Sequence, residues 1–132
     1  MARIIVIDDE EDIRNVLKEV LERAGHEVEI AGSSDEGLDI LRDRGAELVI
    51  TDVIMPGKDG VDTVYQIRME FPNTRIIVIS GGGNGGPMEY EPSAIKTTAY
   101  LASADAAGAD VTLTKPFNRK EIVDAVNNLV QA

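Results

Sequence analysis

Two runs of four residues, Ile4-Ile5-Val6-Ile7 and Ile76-Ile77-Val78-Ile79, consist only of β-branched side chains. Such side chains are stiff at χ1 and favour extended backbone. They are apolar at every position, where a half-buried strand would alternate, so each run reads as a strand covered on both faces. A strand of that kind belongs inside a parallel sheet with helices above and below it, which restricts the chain to α/β architectures.

The rest of the chain alternates in the same sense. After the first run, Ile13, Val16, Leu17, Val20, Leu21 and Ala24 are spaced for one apolar stripe along a helix, and Gly25 ends it as a left-handed cap. His26 to Ala31 alternates, with Val28 and Ile30 inward, and predicts a second, more exposed strand. His26, the single histidine, has no second ligand beside it and is expected to be a solvated residue where that strand starts. Ser33 followed by Glu36 has capping-box spacing and opens a helix with Leu38 and Leu41 inward. Glu47 to Val53 predicts the third strand. Val61, Val64, Ile67 and Phe71 share a helical face that stops at Phe71-Pro72-Asn73.

Arg75 to Ser80 is the fourth strand and Asp110 to Lys115 the fifth, and Asn118 with Glu121 starts a last helix with Ile122, Val126, Leu129 and Val130 inward. Between Ser80 and Lys115 lie 34 residues, more than a helix of about 11–12 residues and two loops of about 2–6 require. Ser93 is placed to cap a helix reaching about Ala107, which leaves 81–92 as an extended loop over the sheet edge. Five of the six residues from Gly81 to Gly86 are glycine, but no Lys-Ser or Lys-Thr follows them as a phosphate-cradling P-loop requires. Five strand-helix alternations predict one domain over 1–132, a parallel five-stranded sheet with helices on both faces.

Composition narrows the partners. With 13 basic and 24 acidic residues the formal charge is -11, which disfavours general attraction to nucleic acid or an anionic membrane. The acidic surface serves solubility or a protein partner with basic patches. No cysteine is present, so there is no thiolate metal site and no disulfide, and a reducing, cytoplasmic compartment is expected. The apolar run at the N-terminus is far too short for a signal core or a membrane span.

Chemistry-bearing residues collect where strands end. The first strand stops at Asp8-Asp9, the third at Asp52 before the turn forced by Pro56-Gly57, the fourth at Ser80 and the fifth at Lys115. Parallel α/β sheets place their chemistry at that edge. Converging carboxylates repel unless a cation sits among them, and oxygen ligands without His or Cys point to Mg²⁺. Lys115 and Ser80 then complement the oxygens of a phosphoryl group.

These residues carry a resemblance. Asp8-Asp9, Asp52 followed by Met55-Pro56-Gly57, Ser80, and Lys115-Pro116-Phe117 resemble the receiver domain of bacterial two-component response regulators, over essentially the whole chain. The resemblance implies a flavodoxin-like (CheY-like) doubly wound (βα)5 fold with strand order 2-1-3-4-5. It implies that Asp52 accepts a phosphoryl group from a sensor histidine kinase or a histidine phosphotransfer protein. It also implies that Asp9, Asp52 and the backbone carbonyl of Ile54 ligate Mg²⁺, that Asp8 holds the ion through water, and that Ser80 and Lys115 bind phosphoryl oxygens. A cis Lys115-Pro116 bond goes with the family. The output is expected to be a changed protein surface, on the face of the fourth helix, fifth strand and fifth helix, used for a downstream partner or a homodimer, with no effector domain after Ala132.

Two departures stand out. Thr112 occupies the position, three before the lysine, where many receivers carry Tyr or Phe, so signal is expected to leave through the glycine-rich loop and the helix after it. Ile54 offers no polar group to orient an attacking water, which predicts slow hydrolysis of the phosphoryl group. Two other functions fit fewer residues. A phosphatase of the haloacid dehalogenase type needs a second acid two residues after its nucleophile, where this chain has Ile54; a phosphorylation-independent scaffold would have no use for the charged set.

Overall fold

The computed structural model describes residues 2–52, 60–80, 108–114 and 117–131. Along the chain they form β1 (Arg3–Ile7), α1 (Glu11–Arg23), β2 (Glu27–Ala31), α2 (Ser34–Arg44), β3 (Leu48–Asp52), α3 (Gly60–Glu70), β4 (Arg75–Ser80), β5 (Val111–Thr114) and a C-terminal helix (Arg119–Gln131). The sheet is parallel throughout, in the order β2-β1-β3-β4-β5. The expected loop over 81–92 and the helix from Ser93 to Ala107 lie outside the described residues. The fifth strand starts at Val111, one residue after the expected Asp110, whose carboxylate is engaged in ion pairs described below, and the expected end at Lys115 lies outside the described residues.

Period-two alternation sorts the core into two layers. Ile5, Ile7, Val49, Ile76 and Val78 face one side and pack with Leu38, Leu41, Val64 and Ile67 of α2 and α3. Ile4, Val6, Leu48, Ile50, Ile77 and Ile79 face the other, against Leu17 and Leu21 of α1 and Ile122 and Val126 of the C-terminal helix. Burying each such side chain contributes about 1.5–3 kcal/mol, so the central strands and the two layers are thermodynamically one unit. The stripe on α1 is narrower than its spacing suggests: Val16 is 57% exposed, while Leu17 and Leu21 are buried and Ile13 and Val20 pack beside them. Gly25 has φ 97°, the left-handed conformation its position requires.

The helix starts are capped as expected, with one shift. Ser33 Oγ accepts the Glu36 N–H at 3.2 Å, but the Glu36 carboxylate reaches one residue further back, to the Gly32 N–H. At the C-terminal helix the box is reciprocal, Glu121 N–H to Asn118 Oδ1 at 2.8 Å and Asn118 N–H to Glu121 Oε1 at 3.2 Å. Each cap satisfies N–H groups that the helix itself leaves without an acceptor.

His26 corrects the expectation of a solvated residue, since it is 8% exposed. Its Nδ1 accepts the Ala2 N–H at 3.1 Å and its Nε2 lies 3.0 Å from Asn127 Oδ1 on the C-terminal helix. The acceptor role of Nδ1 puts the ring proton on Nε2, which donates to Asn127. The ring thus fastens the start of β1 and the C-terminal helix to the turn before β2. His26→Phe is expected to lower the free energy of unfolding in urea by about 1–3 kcal/mol, because the Ala2 N–H and the Asn127 carbonyl lose their partner in a partly buried setting. An unchanged unfolding midpoint would show that the two contacts contribute nothing.

At the edge of the sheet where β4 and β5 begin, Arg68 of α3 donates to the carbonyls of Gly108 at 2.8 Å, Pro72 at 2.8 Å and Thr74 at 3.1 Å, and pairs with Asp110 at 2.9 Å. Asp110 also accepts the Ile76 N–H at 2.8 Å. Among the described residues no helix is long and apolar enough to cross a membrane.

Candidate functional site

Strand direction sets where the chemistry falls. In this order the chain leaves β1 toward β2 on one side and reaches β3 on the other, so the helices after β1 and β3 diverge and open a crevice at the carboxyl ends of those two strands. Register brings the acids to it. Ile7 pairs with Thr51, so Asp8 and Asp52, each one residue further on, end neighbouring strands about 4.8 Å apart. The edge continues across the sheet, with Asp52 beside Ile79 and, one residue further on, Ser80 beside Thr114.

Asp8 is fully buried and Asp52 is 4% exposed. The Asp8 backbone N–H donates to the Ala31 carbonyl at 3.1 Å, which ties the turn after β1 to the end of β2. Asp8 Oδ1 accepts the Glu10 N–H at 2.8 Å, an acid bonding two residues ahead, and this bond folds the chain sharply. The turn gathers Asp8, Asp9 and Glu10, each with a carboxylate oxygen within 4.8 Å of the others. Asp9 is exposed and Glu10 half-buried, so the cluster opens outward from a buried floor. Thr51 is fully buried, and its hydroxyl donates to the Asp52 carbonyl at 3.1 Å. At the same edge, the buried hydroxyls of Ser34 and Thr63 are 2.6 Å apart and join the first turns of α2 and α3.

Of the residues singled out from sequence, Asp8 and Asp9 come together in one cluster and Asp52 stands beside them by register. The Ser80 backbone ends β4 at the same edge, one residue beyond the row of Asp52 and Ile79. Ile54 and Lys115, with the Lys115-Pro116 bond, lie outside the described residues, although Thr114, the residue before Lys115, closes β5 at this edge. Thr112 is half-buried in β5 opposite Val78. Glu10 was not among the predicted ligands. It is visible in sequence as the third acid of Asp8-Asp9-Glu10, but only the folded turn brings its carboxylate to the other two.

The donor set is all oxygen, without His or Cys, and two of its members are buried carboxylates at a sheet edge. That chemistry fits a hard divalent cation such as Mg²⁺ and does not fit a softer ion.

Comparison with known proteins follows the same lines. Residues 4–127 match the family model for the response regulator receiver domain. The chain is 35% identical over 131 residues to the DNA-binding transcriptional regulator NtrC of Azospirillum brasilense, covering 99% of this chain and 24% of that one. It therefore spans about a quarter of that relative's length. It is 29% identical to the chemotaxis protein CheY of Halobacterium salinarum, covering 98% of both. A crystal structure of a response regulator receiver domain protein from Clostridium thermocellum superposes with a TM-score of 0.84 at 32% identity, covering 99% of this chain and 95% of the other.

Proposed function

Because this chain belongs to the response regulator receiver family, we propose that it is a phosphoacceptor of two-component signalling in which Asp52 is the residue phosphorylated. The observation that carries this reading is the row of strand ends: a buried Asp52 beside the Asp8-Asp9-Glu10 cluster at the crevice between β1 and β3. An Asp52 carboxylate oxygen attacks the phosphorus of a phosphohistidine on a sensor kinase or phosphotransfer protein. A P–O bond forms as the P–N bond breaks, and the imidazole nitrogen leaves with the electron pair. Lys115 pairs with one phosphoryl oxygen and Ser80 donates to another, so charge that develops in transfer meets groups already in place. Asp8, Asp9, Asp52 and the Ile54 carbonyl would hold Mg²⁺. Bound there, the ion supplies charge neutralisation between the acids and the incoming phosphoryl group.

The chain's own contribution is positioning more than acid-base chemistry. No general base is needed, since a carboxylate is already a nucleophile. Strand register keeps the attacking oxygen beside the metal ligands before any donor arrives. The output is a changed surface for a downstream protein or a second copy on the side of β5 and the C-terminal helix, and a cytoplasmic location goes with this role.

Incubation with acetyl phosphate and Mg²⁺, followed by intact-mass measurement, tests the reading. The expected result is a single phosphoryl adduct that is slow to disappear. Continuous release of phosphate would make the protein a phosphatase, and absence of any adduct in saturating Mg²⁺ would leave a scaffold.

A further inference from the structure

We propose that Arg14 is a positioning residue for the divalent-ion site, holding the Asp8-Asp9-Glu10 turn in its ion-binding shape from outside the ligand set. The inference rests on the metal-assisted reading above. Arg14 lies one turn into α1, and its Nη1 donates to the Asp8 backbone carbonyl at 2.8 Å. Its own backbone N–H donates to the Glu10 carbonyl at 3.1 Å. With the Asp8 Oδ1 bond from the Glu10 N–H at 2.8 Å, both ends of the three-residue turn are pinned, and the bond at the Asp8 carbonyl is the one that the arginine side chain supplies.

The guanidinium lies against Gly32, just after β2. A Cβ on Gly32 would stand 3.4 Å from Arg14 Nη1. The Gly32 N–H is meanwhile held by Glu36, and the Asp8 N–H is held by Ala31. The turn that carries the acids is thus clasped between α1 and the end of β2.

Position and charge act on ion affinity with opposite signs. As a cation near an acidic cluster, Arg14 opposes the binding of another cation, so deleting its charge alone should tighten Mg²⁺. As a clasp it lowers the cost of ordering three mutually repelling carboxylates, so deleting its hydrogen bond should weaken Mg²⁺. The guanidinium spends its bond on the Asp8 backbone carbonyl, so the clasp dominates. Groups that orient metal ligands from outside are typically worth about 10–100-fold in affinity.

Calorimetric titration with Mg²⁺, without any phosphodonor, decides between them. Arg14→Met keeps the apolar stem and removes both charge and donors, and is expected to weaken Mg²⁺ binding about tenfold. Arg14→Lys keeps a cation and one donor and should recover part of that loss. Amide exchange of Glu10 in ion-free buffer should quicken in Arg14→Met, which reports the turn without reference to the ion. Affinity that rises or stays unchanged in Arg14→Met would overturn the proposal. If Arg14→Met fails to fold, Arg14→Lys carries the test, and an affinity equal to that of the parent together with unchanged Glu10 exchange overturns it. Parent protein that binds no Mg²⁺, or an Asp9→Asn variant that binds as well as the parent, would instead refute the metal-assisted reading itself.

Discussion

Asp52→Asn protein is expected to take up no phosphoryl group from acetyl phosphate and, in ion-free buffer, to unfold at a higher temperature than the parent. Loss of the adduct follows from the loss of the nucleophilic carboxylate, since an amide oxygen at the same place is a poor nucleophile and leaves no acyl phosphate. The gain in stability follows from register. Asp52 and the fully buried Asp8 end adjacent strands, and like charges brought to one edge repel. Solvent at the open edge and the Glu10 N–H on Asp8 absorb much of this, so the expected gain is about 1 kcal/mol, within the range of common stabilising substitutions. That corresponds to roughly 3–6 °C in thermal midpoint. Added Mg²⁺ should raise the midpoint of the parent and close the gap, because the ion binds the charged site and stabilises by mass action. An adduct of parental size on Asp52→Asn would move the phosphoacceptor elsewhere; a lower midpoint would mean that the carboxylate is a net stabiliser of the fold.

The largest loss of stability is expected from Arg68→Met, about 2–4 kcal/mol by urea unfolding. Arg68 supplies donors to three backbone carbonyls in two different connections, those of Pro72 and Thr74 before β4 and that of Gly108 before β5, as well as an ion pair to Asp110. Methionine fills the same volume with no donor, so the carbonyls and Asp110 lose a charged partner where water reaches them only in part. Breaking a buried pair from one side costs about 3–5 kcal/mol. The side chains here are 26% and 22% exposed, which lowers the figure. Gly108 has φ 122°, and a Cβ there would come within 3.1 Å of Arg68 Cγ and Nε. The backbone at Gly108 therefore takes a shape that lets the guanidinium lie against it. Arg68→Lys should recover little, because a single ammonium cannot serve the same spread of acceptors. Amide exchange should quicken most at Ile76 and Asp110, which share this junction through Ile76 N–H to Asp110 and Asp110 N–H to the Ile76 carbonyl. A loss below about 0.5 kcal/mol, the range of an ordinary surface substitution, would show that water replaces the guanidinium without cost.

Local pattern settled a great deal of this molecule. Strand runs without a polar gap, stripes of helical period and capping residues are properties of neighbours along the chain, and they were enough for the parallel sheet and for the convergence of Asp8, Asp9 and Asp52 on one edge, while the strand order came from the family resemblance. Once a strand is buried on both faces, the first residue that can tolerate charge is the one where it leaves the sheet. An acid directly after an apolar run is therefore already a statement about position.

Other features depended on partners far apart in sequence. His26 is polar beside a strand and reads as exposed until Ala2 and Asn127, 24 and 101 residues away, close over it. Arg68 looks like an ordinary surface arginine near the end of a helix until Gly108 and Asp110, 40 and 42 residues on, arrive beneath it. Val16 shares the spacing of the α1 stripe but points to solvent, because a helix lying on a twisted sheet buries a narrower arc than the periodicity of its apolar residues describes. Glu10 joins the acidic cluster only through the turn that Asp8 and Arg14 hold. Periodicity therefore determined the layers and the edge on which the chemistry sits; tertiary contact decided which polar side chains became clasps, because a hydrogen bond between distant residues leaves no period in the chain that makes it.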